Sequence, residues 1–494
     1  MRRGWGWVRT IIYIALLVCS AFFNTTGAQG LLPRSTPEAE GLSSLHIQEF
    51  FDTLMLDPRT EVHSCIVMRH GRVVAEMYPA PWRKDYRHTT YSISKTFTSV
   101  AVGMCLADTL IALNDTIGKF LDIPPHASRG IRAITVRDLL TMQSGIPVDT
   151  KMRIHHTQWL HAYLSKQPTS APGTRWVYDS IMSYLLSAIV QKATGQTLMQ
   201  FLQARLFHPL GITDALWEES PEGITCGGWG LYIRPESMAM LGQLLLDKGT
   251  WAGKEIVPQW WVTEMMKPQT SNGRYSYHIW QTQYPGWAEA NGAYGQYIFV
   301  IPEADMVISM TQCTAKSAPI KEWIKTLLVD NSHPDTLPAS PLTISFDDYT
   351  LPLAQGDAFP HTPLDTTCYT LAENPLNWQR LSLSNHADTL MLHIHDTMDK
   401  AYTLALGHGQ WIESEFNALP YYNPPFQGNF SNLPTSWHAS GSYAWTSPTT
   451  LSIRLHWTDW LTSASLEIRF AEQGTPTITI TPHDTGRKVE ITTK

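Results

Sequence analysis

The sequence is short of the features that mark several broad classes of protein. Its 494 residues include six cysteines, charged residues make up 16% of the chain, and the net charge is −7. This mild negative charge disfavours nucleic acid as a partner, because nucleic-acid binding needs clustered lysine and arginine. Beyond the N-terminus, no stretch is long and apolar enough to predict a membrane-spanning helix. Without Cys19 the cysteines number five at irregular spacing, so we predict no essential disulfide.

Several catalytic and cofactor motifs are also missing. The chain has no Gly-x-Ser-x-Gly elbow, which disfavours an α/β-hydrolase. It has no glycine-rich phosphate loop and no dinucleotide fingerprint, so we predict no cofactor. The pairs His155-His156 and His393-Ile394-His395 could offer metal ligands, but neither comes with further ligands at metal-binding spacing. We interpret both as solvated histidines and predict no metal site.

The N-terminus has the pattern of a targeting segment. Arginines within the first nine residues precede an apolar run over 11–23, and small residues follow at 26–28. This pattern predicts a signal peptide over 1–28, and therefore a protein secreted across the inner membrane, into the periplasm. A lipoprotein anchored through Cys19 is the alternative, although Val18 is large for the position before a lipidated cysteine.

The most informative motif is Ser92-Ile93-Ser94-Lys95. The apolar residues that follow it have helical spacing, and residues at i and i+3 share one helix face. The Lys95 nitrogen can therefore reach the Ser92 oxygen, and a lysine made neutral by burial can accept the serine proton. The competing interpretation is a helix cap with a solvated lysine.

A second motif lies at Tyr178-Asp179-Ser180, after the turn signal Pro172-Gly173 and at the start of a predicted helix. A tyrosine at this place can point its hydroxyl into a cleft. Beside a lysine ammonium the pKa of Tyr178 would fall, and the hydroxyl could relay a proton to a leaving group. The competing interpretation is a half-buried core tyrosine.

A third motif, Ala290-Asn291-Gly292-Ala293, precedes two predicted strands over 297–301 and 306–310 with a turn at 302–305. Small residues allow the backbone to approach a ligand, and a backbone N–H there can form half of an oxyanion hole. The competing interpretation is a glycine-rich loop that enters a hairpin.

The three motifs, in this order and spacing, resemble the serine β-lactamase-related superfamily. This group includes class C β-lactamases, penicillin-binding D,D-peptidases, and esterases and amide hydrolases of the same fold. The resemblance extends over about residues 32–329. Further segments resemble the superfamily at 34–42, 65–74, 139–145, 206–212 and 227–231.

The resemblance implies a role for each motif residue. Ser92 would be the nucleophile that forms an acyl-enzyme, Lys95 would activate it, and Tyr178 would serve as general base and acid. The oxyanion hole would combine the N–H of Ser92 with that of Ala293, next to Gly292. Whether Lys95 or Tyr178 takes the first proton stays open.

Two positions depart from the superfamily pattern. The second motif ends in Ser180, where β-lactamases usually have asparagine, and Ala290 stands where lysine or histidine usually begins the third motif. The missing cation removes a charge-assisted hydrogen bond to a substrate carboxylate, worth about 1.5–3 kcal/mol. We therefore expect poor β-lactam hydrolysis and favour an uncharged ester, amide or small peptide-like substrate. A D,D-peptidase or β-lactamase, and a catalytically silent ligand-binding relative, remain as alternatives.

The predicted fold class is α+β, an antiparallel sheet flanked by helices with an inserted helical lobe, followed by an all-β antiparallel sandwich or barrel. The sheet would come from about 32–110 and 215–330, and the lobe from 115–212. The active site would lie between sheet and lobe. Predicted domains are the signal peptide, a hydrolase domain over 29–330, a linker over 331–342 and a β domain over 343–494. The β domain resembles the lipocalin-like domain of some members, and the oligomeric state stays open.

Overall fold

The computed structural model describes residues 32–149, 151–340, 345–358, 367–386, 389–420, 430–471 and 475–493. The predicted signal peptide over 1–28 and the alternative lipidation at Cys19 lie outside these ranges. Across the described ranges, no helix combines the length and the apolar character that crossing a bilayer requires. The five cysteines found there are free thiols, and Cys65 and Cys105 are core residues.

An antiparallel sheet forms the centre of the region before residue 330. The strands of this region are β1 (Val62–Arg69), β2 (Arg72–Met77), β3 (His88–Thr89), β4 (Leu216–Trp217), β5 (Leu231–Ile233), β6 (Thr250–Trp251), β7 (Lys254–Glu255), β8 (Trp280–Gln281), β9 (Ala288–Gly292), β10 (Gln296–Ile301) and β11 (Met306–Gln312). Six of them form the central sheet, in the order β2-β1-β11-β10-β9-β8. The predicted hairpin is confirmed, since β10 and β11 pair around a turn at Pro302–Ala304.

Strand β1 shows why helices cover both faces of this sheet. All its residues are buried, and its side chains alternate between two cores. Cys65 and Val67 pack with the helix Ser44–Leu56, while Ile66 and Met68 face the core that contains the helix Ser94–Ala107. Because successive side chains point to opposite faces, a strand buried on both sides reads as a continuous apolar run.

Helices supply the rest of this region and the whole inserted lobe. The α-helices are Ser44–Leu56, Ser94–Ala107, Arg129–Ala133, Val136–Leu140, Met152–His155, Trp159–Leu164, Ser180–Thr194, Leu198–Leu202, His208–Leu210, Pro235–Leu246, Gln259–Met265 and Ile320–Trp323. Short 3₁₀ turns occupy Glu38–Glu40, Tyr91–Ile93, Ile117–Lys119 and Pro302–Ala304, and π-helical turns occupy Gln203–Phe207 and Ile324–Val329. The named elements described within 115–212 are all helical, which confirms the predicted lobe.

The C-terminal region is a curled, mostly antiparallel sheet of ten strands. They are β12 (Tyr369–Thr370), β13 (Trp378–His386), β14 (Thr389–Asp396), β15 (Ala401–His408), β16 (Ile412–Phe416), β17 (Trp437–Ser447), β18 (Thr450–Trp457), β19 (Thr462–Arg469), β20 (Thr477–Pro482) and β21 (Val489–Thr492). One pair, β15 with β17, is parallel. A bridge between Leu371 and Thr493 brings the two ends of the sheet together, as curling requires.

The alternation that predicted this region is visible in β14. Leu390, Leu392 and Ile394 are buried inside the curl, whereas His393 and His395 lie on its outer face. His393 lies within hydrogen-bonding distance of the hydroxyls of Ser384 and Thr403. The domain limits stay predictions, and the described part of the predicted linker lies along the residue 38–41 turn.

Candidate active site

The turn Tyr91–Ile93 presents Ser92. The helix Ser94–Ala107 begins two residues after Ser92, so the serine lies in the turn just before the helix. Tyr91 has a φ of 45°, a sparsely populated conformation that the surroundings hold in place. The Ser94 hydroxyl donates to the Tyr91 carbonyl at 2.6 Å and accepts from the Leu231 N–H on β5. Ser92 itself is half-buried.

Lys95 is buried beside Ser92, with 1% of its surface exposed. Its Nζ lies 2.9 Å from Ser92 Oγ, 3.0 Å from Ser180 Oγ and 2.6 Å from the Gly228 carbonyl oxygen. Burial lowers the pKa of Lys95 to about 7, an effect that nearby Asp179 opposes and Arg153 reinforces. A neutral amine has two hydrogens, which match Ser180 and Gly228, and a lone pair, which remains for the Ser92 proton.

Gly228 is a contributor that the sequence motifs did not identify. Its carbonyl holds Lys95, and a Cβ on this residue would lie 2.4 Å from the Ser180 carbonyl oxygen. Only glycine lets the two backbones approach this closely. The segment 227–231 resembles the superfamily in sequence, but its residue types do not indicate that one of its carbonyl groups binds a lysine.

Tyr178 also lies beside Lys95. Lys95 Nζ lies 4.8 Å from the centre of the tyrosine ring. Burial raises the pKa of Tyr178, although the neighbouring Ser92 hydroxyl opposes this. The expected fall in its pKa is therefore wrong, because burial dominates and a Lys95 with a pKa near 7 is no permanent cation. Tyr178 is a neutral phenol at neutral pH, so the Lys95 amine is the base available there.

Aromatic rings surround Tyr178. Trp280 lies 5.5 Å from Tyr178 between ring centres, Tyr275 lies 6.1 Å away and Trp176 6.3 Å. Trp176 and Trp280 are partly exposed, so they offer an apolar wall beside Ser92. Trp229 and Trp287, by contrast, are each 1% exposed and belong to the core.

A further buried titratable residue, His278, lies near Lys95. It is 2% exposed, and its Nε2 lies 3.0 Å from Ser183 Oγ. Burial and the nearby Lys95 lower the pKa of His278 to about 3, although a hydrogen bond to the Leu140 backbone opposes them. The imidazole is therefore neutral at physiological pH and adds no charge to the site. The histidines noted in the sequence, His155 and His156, are exposed.

The third motif lies against the Ser92 turn. A Cβ on Gly292 would lie 2.4 Å from the Thr90 carbonyl oxygen, so the end of β9 touches the segment that leads into Ser92. The Gln296 amide donates to the carbonyls of Ala293, at 3.0 Å, and Gln312, at 2.6 Å. These bonds fix the hairpin backbone next to the serine. The role of the Ala293 N–H as an oxyanion donor stays a prediction.

Known proteins share part of this chain. A family model described as Beta-lactamase matches residues 47–325, more than half of the chain. A Beta-lactamase from Escherichia coli K12 is 28% identical over 185 residues, which cover 37% of this chain and 48% of the relative. A Lovastatin esterase from Penicillium rubens is 30% identical over 156 residues, which cover 25% and 38%. The chain spans less than half the length of both relatives.

Solved structures share the fold. A family VIII carboxylesterase superposes with a TM-score of 0.51 at 18% identity, and the match covers 60% of this chain and 98% of that protein. At this level of identity the likeness is one of fold.

Proposed function

Since the chain belongs to the serine β-lactamase-related superfamily, we propose that it is a serine hydrolase that cleaves an ester or amide bond through an acyl-enzyme on Ser92. The observation that carries the proposal is the pairing of Ser92 with Lys95. The two polar atoms lie 2.9 Å apart, and burial lowers the pKa of Lys95 to about 7. A buried amine of this kind can take the serine proton at neutral pH.

In the acylation step, Lys95 takes the first proton. As Ser92 Oγ attacks the substrate carbonyl carbon, its proton passes to Nζ and the carbonyl oxygen becomes an oxyanion. The N–H groups of Ser92 and Ala293 would stabilise that charge. When the bond to the leaving group breaks, Tyr178 gives its proton to the leaving group and recovers one from Lys95.

Deacylation reverses these transfers with water in place of the leaving group. Tyr178, assisted by Lys95, takes a proton from the water as its oxygen attacks the acyl carbon. The bond between that carbon and Ser92 Oγ breaks, and the proton held by Lys95 returns to Oγ. Each residue then has its starting protonation state. The raised pKa of Tyr178 is consistent with a relay that never carries a lasting negative charge.

The surroundings of Ser92 favour an uncharged acyl group. Ala290 is buried on β9 opposite Ile298 and supplies no cation for a substrate carboxylate. Trp176 and Trp280 form an apolar wall beside the nucleophile. An ester or amide with an apolar acyl part fits these features better than a β-lactam, which carries a carboxylate.

Covalent labelling tests the proposal. The purified protein would be incubated with a fluorophosphonate and, separately, with a penicillin, and its intact mass measured. We expect the fluorophosphonate adduct in the parent protein and in Ser447→Ala, an exposed serine far along the chain, and no adduct in Ser92→Ala. A stable penicillin adduct on Ser92 would instead favour a D,D-peptidase. Labelling by neither reagent would favour the catalytically silent alternative.

We also propose that the chain is exported, because residues 1–28 have the composition of a signal peptide. Expression of the full chain in a Gram-negative host, followed by fractionation and N-terminal sequencing, tests this. We expect a periplasmic protein that begins near residue 29. A cytoplasmic protein with an intact N-terminus would contradict the proposal.

A further inference from the structure

A second cluster of titratable side chains lies between the hydrolase region and the C-terminal sheet. Glu61 directly precedes β1, His63 is the second residue of β1, and His456 lies on β18. Their ligand atoms all fall within 4.8 Å of one another. The histidine pairs considered in the sequence are not part of this group. Folding instead gathers a carboxylate and two imidazoles from positions far apart in the chain.

The donor atoms have a separation that suits a small metal ion. Glu61 Oε1 lies 3.3 Å from His63 Nε2 and 3.8 Å from His456 Nδ1. Zinc binds histidine nitrogen and carboxylate oxygen at about 2.0–2.2 Å, so the donors of a tetrahedral site stand roughly 3.3 Å apart. The cluster therefore needs only small side-chain adjustments to hold zinc.

One of these donor atoms has no hydrogen-bond partner among the described residues. His456 is 2% exposed, and among the described residues its Nδ1 finds no hydrogen-bond partner, although it points towards Glu61. A buried polar atom without a partner is costly, and native structures rarely leave one. A metal ion between His456 and Glu61 would satisfy this nitrogen.

The residue types suit ligation. Imidazole nitrogen and carboxylate oxygen are ligands that zinc prefers in proteins. Zinc binds the neutral imidazole and the ionised carboxylate, so two histidines and one glutamate form a donor set of the right chemistry.

Outer contacts orient the carboxylate. Ser463 Oγ donates to Glu61 Oε1 at 2.6 Å, and His483 Nδ1 lies 2.5 Å from the other carboxylate oxygen. Trp82 stacks on the His63 ring at 3.9 Å, and Trp411 lies 5.0 Å from the His456 ring. Hydrogen-bonded outer partners and an apolar wall are the surroundings that tune metal sites in proteins.

A β-bulge directs His63 into the cluster. The register of β1 against β11 shifts between Val62 and Ser64, which leaves His63 as the extra residue. Bulges re-aim side chains in this way and disrupt the sheet locally. The strand thus gives up regular pairing at the position where it supplies a donor.

We propose that Glu61, His63 and His456 bind a zinc ion that fastens the C-terminal sheet to the hydrolase region. Water takes the fourth position, and His483 and Ser463 remain hydrogen-bond partners of Glu61. None of the three protein ligands belongs to the Ser92 site, so the zinc takes no part in acyl transfer. It adds a bond between two regions that otherwise meet through packing and hydrogen bonds.

Metal binding to the full chain tests this proposal. Protein without a histidine tag would be stripped with a chelator, and zinc binding measured by calorimetry and by elemental analysis after dialysis. Cobalt would be added separately, because tetrahedral Co²⁺ shows strong visible absorption. We expect one zinc per chain, a tetrahedral cobalt spectrum and a rise in Tm on adding zinc.

Variants locate the site. We expect His63→Gln and His456→Gln to weaken zinc binding at least 100-fold. The matched control is His88→Gln, since His88 is also buried against Trp82 but is outside the cluster. This variant should bind zinc like the parent. Equal binding by all the variants would overturn the assignment, and so would a parent protein that binds no zinc below 10-fold molar excess or gives an octahedral cobalt spectrum. The parent measurements decide the matter even if a variant fails to fold.

Discussion

The active site and the interregional cluster are both buried groups of polar side chains, but the chain builds them differently. In the active site, Ser92 and Lys95 are three residues apart and share one turn of backbone. In the cluster, Glu61 and its outer hydrogen-bond partner His483 are 422 residues apart, and they meet only because the C-terminal sheet docks on β1. Local geometry suffices to pair Ser92 with Lys95, whereas the second group depends on the whole tertiary structure.

Burial also has different chemical consequences in the active site and in the interregional cluster. It lowers the pKa of Lys95 to about 7, which makes an ordinary ammonium into a base. It also lowers the pKa of His456, to about 3, so this buried imidazole stays neutral. The same physical effect therefore supplies a base for proton transfer in one place and an uncharged ring in the other. Substitutions should separate these consequences.

The largest effect is expected from Lys95→Met. Losing the base should lower kcat about 10³–10⁴-fold, because positioned acid–base groups contribute up to about this factor. Ester hydrolysis by the purified variants is the measurement. Glu61→Gln is the matched control from the other cluster, and its kcat should stay within about threefold of the parent. A large loss of kcat in Glu61→Gln would show that the two clusters are coupled.

The difference between the clusters also explains what the sequence could reveal. Ser92 and Lys95 were predictable because an i, i+3 pair needs only a helical turn, and the hairpin at 302–305 was predictable from its turn residues. The Gly228 carbonyl was not, because every residue has one and only the fold decides which one faces a lysine. The contact between Glu61 and His456 was hidden for a related reason, since no local pattern reports a distant partner.

The second-largest effect is expected from Tyr178→Phe. The substitution keeps the ring beside Lys95 but removes the hydroxyl that neighbours Ser92. We expect kcat to fall about 10²-fold, less than for Lys95→Met, because Lys95 still activates the serine. Single-turnover labelling with a fluorophosphonate should slow less than turnover does. A larger loss in Tyr178→Phe than in Lys95→Met would contradict this order and favour Tyr178 as the residue that takes the first proton.

The pH dependence of the active site should report Lys95 directly. Because the neutral amine is the active form, kcat/KM should fall about tenfold per pH unit below the lysine pKa and level off above it. The quantity to measure is the midpoint of the profile, which we expect near pH 7, where burial places the Lys95 pKa. A profile governed by a group near pH 4, or one that falls as pH rises through 7, would contradict a lysine base.

The smallest expected effect is a change in substrate specificity without a loss of activity. Ala290 lies on β9, and the resemblance to the superfamily implies that it takes the place of the third-motif cation. Ala290→Lys should therefore supply a partner for a substrate carboxylate. A charge-assisted bond is worth about 1.5–3 kcal/mol, which corresponds to roughly a tenfold or greater fall in KM for carboxylate-bearing substrates. Asn291→Lys is the matched control, because successive strand residues face opposite sides of the sheet. If both variants behave alike, the register of the third motif is wrong. If only Ala290→Lys gains affinity, a single missing cation separates this site from sites that accept charged substrates. Substrate selectivity would then depend on one residue position, whereas the zinc cluster depends on contacts between distant parts of the chain.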